Sequence, residues 1–414
     1  MELKEGYKQT EVGVIPGDWV TRPLLNALRI PNGQVDPKEE PYRSMVLVAP
    51  DHIERDSGRL LKQETAEQQG AISGKYLFES GDIVYSKIRP YLKKAILADF
   101  KGLCSADMYP MRPQGDNCGG FMLAVILGKH FSDYADSVSV RSGMPKINRD
   151  ELGDYTFASP PTKAEQEAIA EALSDADALI ESLEQYIAKK RQIKQGAMQE
   201  LLNGKKRLPG FSGEWELKPL AQLFDLSAAG SKSGVLQSDG AFVVMDMGSV
   251  SALGETIPTK RTSLETDLLD FGDLVMPKDD IGGGNIIGRV AFIDRDDGYV
   301  LGDHVYRLRP LDDALCPKFF YFLINGAEVN RSLRSKVAGS AQLGLGRKAV
   351  LEQVLCFPES ESEQIAIANI LSDMDSEIAA LEAKLAKARQ LKQGMMQELL
   401  TGNIRLIQPG NSHA

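Results

Sequence analysis

The longest pattern in this chain is a repeat of apolar residues at alternating intervals of four and three. It occurs twice, within residues 165–208 and within residues 363–406. The apolar positions are Ile169, Leu173, Ala176, Ile180, Leu183 and Ile187 in the first stretch, and Ile367, Leu371, Met374, Ile378, Leu381 and Leu385 in the second. This spacing is typical of a coiled-coil seam and predicts two helices of about 38 residues, with the seam interrupted by Lys194 and Lys392.

The two stretches are copies of one sequence. They are identical at 27 of 44 positions, without a gap, at a constant offset of 198 residues. Identity of this length predicts an internal duplication, and we expect the two helices to pack against each other. The alternative, two unrelated surface helices on separate domains, is compatible with the heptads alone, but the gapless identity favours the duplication.

Each repeated helix follows a region predicted to be a domain of mixed strands and helices. In the first region, short apolar runs between Gly, Pro and Asp predict strands at 45–48, 76–78, 82–85 and 95–97. Residues 119–138 are predicted to be mainly helical. Pro160 and Pro161 end the region, Thr162 is the predicted N-cap of the helix, and Glu165 completes the pattern of a capping box.

The second region repeats landmarks of the first with less identity. The recurring landmarks are Gly81-Asp82-Ile83-Val84 before Lys87, found again as Gly272-Asp273-Leu274-Val275 before Lys278, and Tyr109 with Met111-Arg112-Pro113, found again as Tyr306 with Leu308-Arg309-Pro310. The chain is therefore predicted to be a domain and a helix, twice. The predicted boundaries are 1–162 and 210–360 for the domains, 163–209 and 361–406 for the helices, and 407–414 for a disordered tail.

Composition is that of a globular protein without a membrane span or a signal peptide. The four cysteines lie far apart, with no CxxC pair and no nearby histidine cluster, which predicts a metal-free cytoplasmic protein with buried free thiols. The net charge of −10 argues against tight attachment to nucleic acid by bulk electrostatics, and most of the acidic excess lies in residues 209–362. A DNA-binding role would require basic side chains concentrated on one face, or a partner that supplies positive charge.

No group of residues matches a catalytic motif, so the sequence predicts a binding protein without catalytic residues. Ser159-Pro160-Pro161-Thr162 resembles the [NDS]PP[aromatic] motif of DNA amino-methyltransferases but lacks its aromatic residue. Residues 230–233 do not have the order of a P-loop, and residues 282–285 form a Gly-rich loop without a GxGxxG pattern. His304 is interpreted as a structural residue and not as a general base.

Basic and amide side chains on loops are the candidate DNA contacts, because Arg and Lys read guanine edges and Asn and Gln read adenine. The loops 137–149 and 337–348 lie at matched positions of the two regions. In the first region the candidates are Lys87, Arg89, Lys93, Lys94, Arg141, Lys146 and Arg149. In the second region they are Lys278, Asn285, Arg289, Gln342, Arg347 and Lys348. The alternative for any one of them is a solvated surface charge.

Together these motifs resemble those of the specificity subunits of type I restriction–modification systems. Residues 6–16, GYKQTEVGVIP, are similar to the start of many such subunits. The same holds for Pro160-Pro161 before Glu165-Gln166 and Ile169, which recurs as Pro358 before Glu363-Gln364 and Ile367. The Lys-Gln-Gly and Met-Gln-Glu-Leu-Leu endings of both helices, at 194–202 and 392–400, are similar as well. The resemblance covers essentially the full length, in the family's order of domain, helix, domain and helix.

The resemblance implies an α+β fold in which two similar mixed α/β target-recognition domains are separated by two long conserved helices. These helices are expected to pack as an antiparallel coiled coil with internal pseudo-twofold symmetry. Each domain is expected to read one half of a bipartite, asymmetric double-stranded DNA site from the major groove, at a spacing set by the helix pair.

The resemblance also implies that the chemistry belongs to partner subunits. Two modification subunits are expected to bind S-adenosylmethionine and methylate adenine, and two restriction subunits are expected to use ATP and Mg. No cofactor is expected in this chain. The helix faces opposite the seam, including Tyr186, Lys189, Lys190 and Arg191, are expected to be free to dock partners. Two other functions stay open: a scaffold joining two protein-binding domains, and the specificity module of a defence methylase without a restriction subunit.

Overall fold

The computed structural model describes residues 5–139, 143–280, 285–339 and 343–407. The chain forms two compact units, Met1–Gln185 with Ala383–Ala414 (unit 1) and Tyr186–Glu382 (unit 2). Each unit therefore contains one mixed domain, part of the helix that follows it and part of the other long helix.

Unit 1 is built around short strands that pair antiparallel, except for the parallel pair formed by Leu47–Val48 and Gly102–Cys104. Its strands are β1 (Tyr7–Thr10), β2 (Gly13–Pro16), β3 (Val20–Pro23), β4 (Leu28–Arg29), β5 (Leu47–Val48), β6 (Tyr76–Phe78), β7 (Ile83–Ser86), β8 (Ala95–Leu97), β9 (Gly102–Cys104), β10 (Met108–Pro113) and β11 (Thr156–Ser159). Its helices are α1 (Leu24–Ala27), α2 (Gly119–Leu127), α3 (Lys129–Ser139), α4 (Arg149–Asp154) and the first part of α5 (Lys163–Leu201). The largest sheet has the order β4-β10-β7-β8, and smaller sheets are β5-β9-β6, β3-β11 and β1-β2.

Unit 2 repeats much of this plan. Its strands are β12 (Trp215–Pro219), β13 (Phe224–Ser227), β14 (Phe242–Met245), β15 (Arg261–Thr262), β16 (Leu268–Leu269), β17 (Leu274–Pro277), β18 (Asp279–Asp280), β19 (Ala291–Phe292), β20 (Tyr299–Leu301), β21 (Val305–Pro310), β22 (Leu343–Gly344) and β23 (Val354–Pro358). Its helices are α6 (Pro317–Asn325), α7 (Ala327–Ser335), α8 (Arg347–Leu351) and the first part of α9 (Glu361–Leu400). The sheet β13-β21-β17-β19 corresponds to β4-β10-β7-β8, and β12-β23 corresponds to β3-β11; β15-β14-β20-β16 and β18-β22 complete the unit.

Most secondary-structure predictions for the first region are confirmed. The strands at 76–78 and 95–97 are β6 and β8, and the strand at 82–85 is β7, shifted by one residue. The strand predicted at 45–48 is shorter because the Met45 amide closes a turn on the Tyr42 carbonyl at 3.2 Å. The helical region 119–138 is divided into α2 and α3 at Gly128, whose backbone is extended.

Both long helices contribute to the hydrophobic core of each unit. In unit 1, Ile169 and Leu173 of α5 and Leu399 of α9 belong to one buried cluster with Trp19 and Phe121. The corresponding buried cluster of unit 2 contains Leu201 of α5 and Ile367 and Leu371 of α9, packed with aromatic side chains of α6 and β23. Because full burial of one such aliphatic side chain contributes about 1.5–3 kcal/mol, these positions add substantially to the stability of each unit.

Ion pairs that join each long helix to the other helix, or to the segment just after it, recur in both units at the offset of 198 residues. In unit 1 they are Asp177–Lys392 at 2.5 Å, Glu184–Arg389 at 2.6 Å and Glu165–Arg405 at 2.7 Å. In unit 2 they are Asp375–Lys194, Glu382–Arg191 at 2.5 Å and Glu363–Arg207 at 2.6 Å. Residue numbers fall along α9 as they rise along α5, so the two helices are antiparallel within each unit. Lys194 and Lys392 interrupt the apolar seam because each binds a carboxylate of the opposite helix.

The capping box predicted at the start of α5 is only half formed. The Glu165 amide donates to Thr162 Oγ1 at 3.2 Å, which confirms the N-cap. The described hydrogen bonds of the buried Glu165 carboxylate come from Arg405, at 2.8 and 2.7 Å, and not from the Thr162 amide. A bidentate guanidinium compensates the burial of this carboxylate better than a single amide would.

The expectation that Lys190 and Arg191 are free to dock partners is wrong. Lys190 Nζ lies 2.6 Å from the Glu377 carboxylate, and Arg191 lies 2.5 Å from Glu382, so both side chains bind α9. Tyr186 is 44% exposed and Lys189 is also exposed, so the prediction for these two residues is unchanged.

Candidate nucleic-acid interface

In unit 1, the basic residues after β7 lie against the start of β10. Tyr109 is opposite Tyr85 in the β7–β10 register, and Lys87 follows β7 two residues after Tyr85. The Lys87 amide donates to the Asp107 carbonyl at 3.0 Å, and Lys87 Nζ lies 5.2 Å from the centroid of the Tyr109 ring. The end of the strand pair therefore positions a lysine over a tyrosine ring.

The loop before α4 is held against this same strand end. The Ile147 amide donates to the Lys87 carbonyl at 2.9 Å, and the Arg89 amide donates to the Pro145 carbonyl at 2.8 Å. Ile88 and Lys146 form an antiparallel bridge between these two bonds. These backbone contacts bring the exposed Arg89 and Lys146 beside Lys87.

Arg149 begins α4, which is capped by Asn148. Asn148 Oδ1 accepts from the Glu151 amide at 2.9 Å, and Glu151 Oε2 accepts from the Asn148 amide at 2.7 Å. The Arg149 guanidinium lies 5.7 Å from the Tyr109 centroid and donates to Asn32 Oδ1 and, at 3.2 Å, to the Pro31 carbonyl. Lys87 and Arg149 thus share one aromatic ring.

The remaining candidates of unit 1 are not part of this cluster. Lys93 Nζ lies 3.5 Å from the Asp56 carboxylate, and Lys94 Nζ donates to the Pro50 carbonyl at 2.7 Å. Both side chains are half-buried and have partners within the domain. Arg141 lies outside the described residues.

Unit 2 has the same arrangement around Tyr306. The Lys278 amide donates to the His304 carbonyl at 2.9 Å, and the Leu345 amide donates to the Lys278 carbonyl at 2.7 Å. Lys278 Nζ lies 5.9 Å from the Tyr306 centroid, and the Tyr306 hydroxyl donates to the Leu345 carbonyl at 3.3 Å. Arg347 begins α8 and is exposed. The cation, the ring and the loop that precedes the short helix therefore recur in both units.

The other candidates of unit 2 have different surroundings. Lys348 is exposed and lies 3.7 Å from Glu352 one helical turn later, and Asn285 is also exposed. Arg289 donates to the Asn325 carbonyl at 2.6 Å, and burial, followed by the charge of Arg334, lowers its pKa. This contact gives Arg289 a packing role at the end of α6. Gln342 lies outside the described residues.

The two tyrosines are the residues of this site that the sequence did not indicate as functional. Burial raises the pKa of Tyr109, and the positive charge of Arg149 opposes that shift. Burial and Asp279 raise the pKa of Tyr306, and Arg347 opposes them. The available signal was the recurrence of Tyr109 as Tyr306, but it did not show which cations contact them.

Within the described part of the chain, no cluster of three His, Cys, Asp or Glu side chains could hold a metal ion. The four thiols are free, but only Cys104 is buried; Cys118 and Cys316 are half-buried and Cys356 is exposed, so the prediction of buried thiols is wrong for Cys356. Desolvation raises the pKa of the Cys104 and Cys316 thiols, which disfavours the nucleophilic thiolate form. His304 Nδ1 lies 2.7 Å from the Asp279 carboxylate.

Over the described residues, no helix has the length and apolar character needed to cross a membrane.

Comparison with known proteins matches both halves of the chain to one family. The model of the type I restriction modification DNA specificity domain matches residues 32–195 and 212–390. The chain is 33% identical over 163 residues to the type I restriction enzyme EcoDI specificity subunit of Escherichia coli, a match that spans 39% of the chain and 36% of that relative. It is 24% identical over 327 residues to the type I restriction enzyme MjaVIII specificity subunit of Methanocaldococcus jannaschii, across 74% of the chain and 75% of the relative.

Two solved structures share the fold. One is the crystal structure of the type I restriction-modification system S subunit from M. genitalium, with a TM-score of 0.62 and 14% identity, covering 97% of this chain and 98% of that one. The other comes from work on complex assembly and conformational transition of the type I R-M system, with a TM-score of 0.60 and 17% identity, covering 94% and 99%.

Proposed function

Since this chain belongs to the family of type I restriction–modification DNA specificity proteins, we propose that it is the DNA-reading subunit of a type I restriction–modification complex. Each mixed domain reads one half of a bipartite, asymmetric double-stranded DNA site. The helix pair sets the number of unread base pairs between the halves. Methylation of adenine and ATP-dependent cleavage are carried out by two modification and two restriction subunits, with S-adenosylmethionine, ATP and Mg bound there.

The observation that carries this proposal is the repeated cationic cluster. Lys87 and Arg149 in unit 1 match Lys278 and Arg347 in unit 2, on the same strand end and the same loop. Unit 1 adds Arg89 and Lys146, which have no basic counterpart in unit 2. The common backbone arrangement supports a shared task, and the differing side chains support different targets, since base-edge contacts depend on side-chain type.

Helix geometry supports the proposed role of the helix pair. Lys163–Leu201 and Glu361–Leu400 are continuous helices of 39 and 40 residues. At a rise of 1.5 Å per residue each is about 60 Å long. Two readers of half-sites that are joined by rigid helices resemble, within one chain, a dimer on two half-sites.

The proposal is tested by sequencing the methylome of cells that express this chain with its cognate modification subunit. We expect adenine methylation at one bipartite motif. Replacing residues 210–360 with the corresponding domain of another family member should change one half of the motif and leave the other half and the spacing intact. A wild-type complex that methylates no motif, or a motif unaffected by the replacement, would overturn the proposal.

A further inference from the structure

Tyr109 and Tyr306 occupy equivalent places, and both rings are fixed. They are 7% and 9% exposed, and each belongs to the main hydrophobic core of its unit. Tyr109 is opposite Tyr85, and Tyr306 is opposite Met276. The lysine that contacts each ring comes two residues after that opposite residue, which is a diagonal neighbour on the same face of the strand pair.

A buried ring restricts a side chain that is otherwise mobile. A lysine or arginine loses considerable rotamer entropy when it is ordered, and a binding partner must supply that free energy at the moment of contact. A cation held over an aromatic face in the unbound protein has already lost part of this freedom, while the N–H groups that are not bonded within the domain can still donate. The tyrosine therefore lowers the ordering cost of binding without touching the bound molecule.

We infer that Tyr109 and Tyr306 are positioning residues for DNA recognition. Tyr109 holds Lys87 and Arg149, and Tyr306 holds Lys278, in the orientation in which these cations meet DNA. This inference rests on the proposed function. It adds an explanation of how the cations are ordered before DNA binds. The ordering group is a tyrosine of the recognition domain itself, and it is present in both units although their sequences have diverged.

The side-chain hydroxyl is expected to contribute more to DNA recognition at Tyr306 than at Tyr109. At Tyr306 the hydroxyl donates to the Leu345 carbonyl, in the loop that leads to Arg347. At Tyr109 the contacts that involve Lys87 and Arg149 are made to the ring. Tyr109→Phe should therefore preserve recognition, whereas Tyr306→Phe should weaken it in part.

The test measures the affinity of the full chain, in complex with its cognate modification subunit, for duplexes carrying the wild-type motif. Tyr109→Leu is expected to raise the dissociation constant about three- to tenfold. It should also lose discrimination at the half-site read by unit 1, with the other half-site unaffected. Tyr109→Phe should restore both, and Tyr306→Leu should reproduce the loss at the other half-site.

Tyr155 provides a matched control in unit 1. It is 3% exposed and packs in the same core cluster, with its ring 4.9 Å from Phe131 and no cation over it among the described contacts. Tyr155→Leu should lower the unfolding temperature of the complex about as much as Tyr109→Leu, without changing half-site discrimination. Equal changes in discrimination for both variants would mean that Tyr109 acts only through stability, and no change for Tyr109→Leu would overturn the inference directly. A wild-type complex without any motif would count against the proposed function instead.

Discussion

Arg149 and Arg347 have equivalent positions, each at the first residue of a short helix, but different surroundings. Arg149 lies on the Tyr109 ring and donates to Asn32 and Pro31. Arg347 is exposed at the start of α8. The same position has thus become part of the domain surface in unit 1 and a projecting charge in unit 2.

This difference predicts different effects of replacing each arginine with Ala. Each replacement should weaken binding to its own half-site by ~1–3 kcal/mol if the side chain reads a base. Arg149→Ala should in addition lower the unfolding temperature, because it removes contacts within the domain, whereas Arg347→Ala should leave that temperature unchanged. Affinities for duplexes altered in one half-site, together with thermal unfolding, measure both effects. A uniform loss over all sequences would identify a phosphate contact instead.

Sequence alone indicated the basic residues at this site but not their grouping. Lys87 and Lys146 are separated by 59 positions in the chain. They come together only because Ile88 and Lys146 form a β-bridge, and this depends on strand register. The same limit applies to Tyr109, whose contact with Lys87 follows from its pairing with Tyr85 across β7 and β10.

At the scale of elements, the long helices were the best-predicted part of the fold because their period and internal identity are local properties of the sequence. Their starts agree with prediction, since α5 begins at Lys163 and α9 at Glu361, but they end at Leu201 and Leu400, before the predicted boundaries at 209 and 406. The ion pairs were not predictable, since they join residues about 200 positions apart in the chain, as Asp177 does with Lys392. The sequence feature that indicated these ion pairs was the interruption of the apolar seam by Lys194 and Lys392.

The helix pair predicts the effect of a length change. Four residues inserted after Ala188 add about one turn, or ~6 Å, to α5 between Glu184 and Arg191, which bind α9 in unit 1 and unit 2, respectively. Together with the same insertion after Ala386 in α9, this change should lengthen the unread spacer by about one or two base pairs, since one pair rises 3.4 Å. Both half-sites should stay the same. Methylome sequencing measures the spacer.

The control for this experiment is the same four residues inserted after Gly210, which follows α5 in sequence. That variant should keep the wild-type spacer. If the helix insertions also leave the spacer unchanged, the helices do not set the distance between the half-sites.

At the scale of the whole molecule, the balance of charge opposes DNA binding by this chain alone. The net charge is −10, and many cations are already paired within the fold, such as Lys392 with Asp177 and Arg207 with Glu363. Few phosphates can then be neutralised by the chain itself. Partner subunits that contribute positive charge are therefore expected to supply much of the affinity.

This balance predicts how binding changes with salt. The isolated chain should bind the cognate duplex weakly, and its binding constant should fall only slightly between about 50 and 200 mM salt. The complex with the modification subunit should bind more tightly and show a steeper slope. Fluorescence anisotropy of a labelled duplex gives both slopes, and equal affinities and slopes would mean that this chain supplies the charge.

The division of both helices between the units determines the order in which the molecule can be completed during synthesis. Unit 2 is a single continuous segment, whereas the core of unit 1 joins Ile169 and Leu173 to Leu399. At the usual ribosomal rate of about 5–20 residues per second, roughly 11 to 45 seconds pass between the synthesis of Leu173 and that of Leu399. The recognition domain that leaves the ribosome first is therefore the last to complete its hydrophobic core. During that interval the apolar side chains of unit 1 that pack against α9 in the folded chain are exposed to chaperones, to proteases and to other nascent chains.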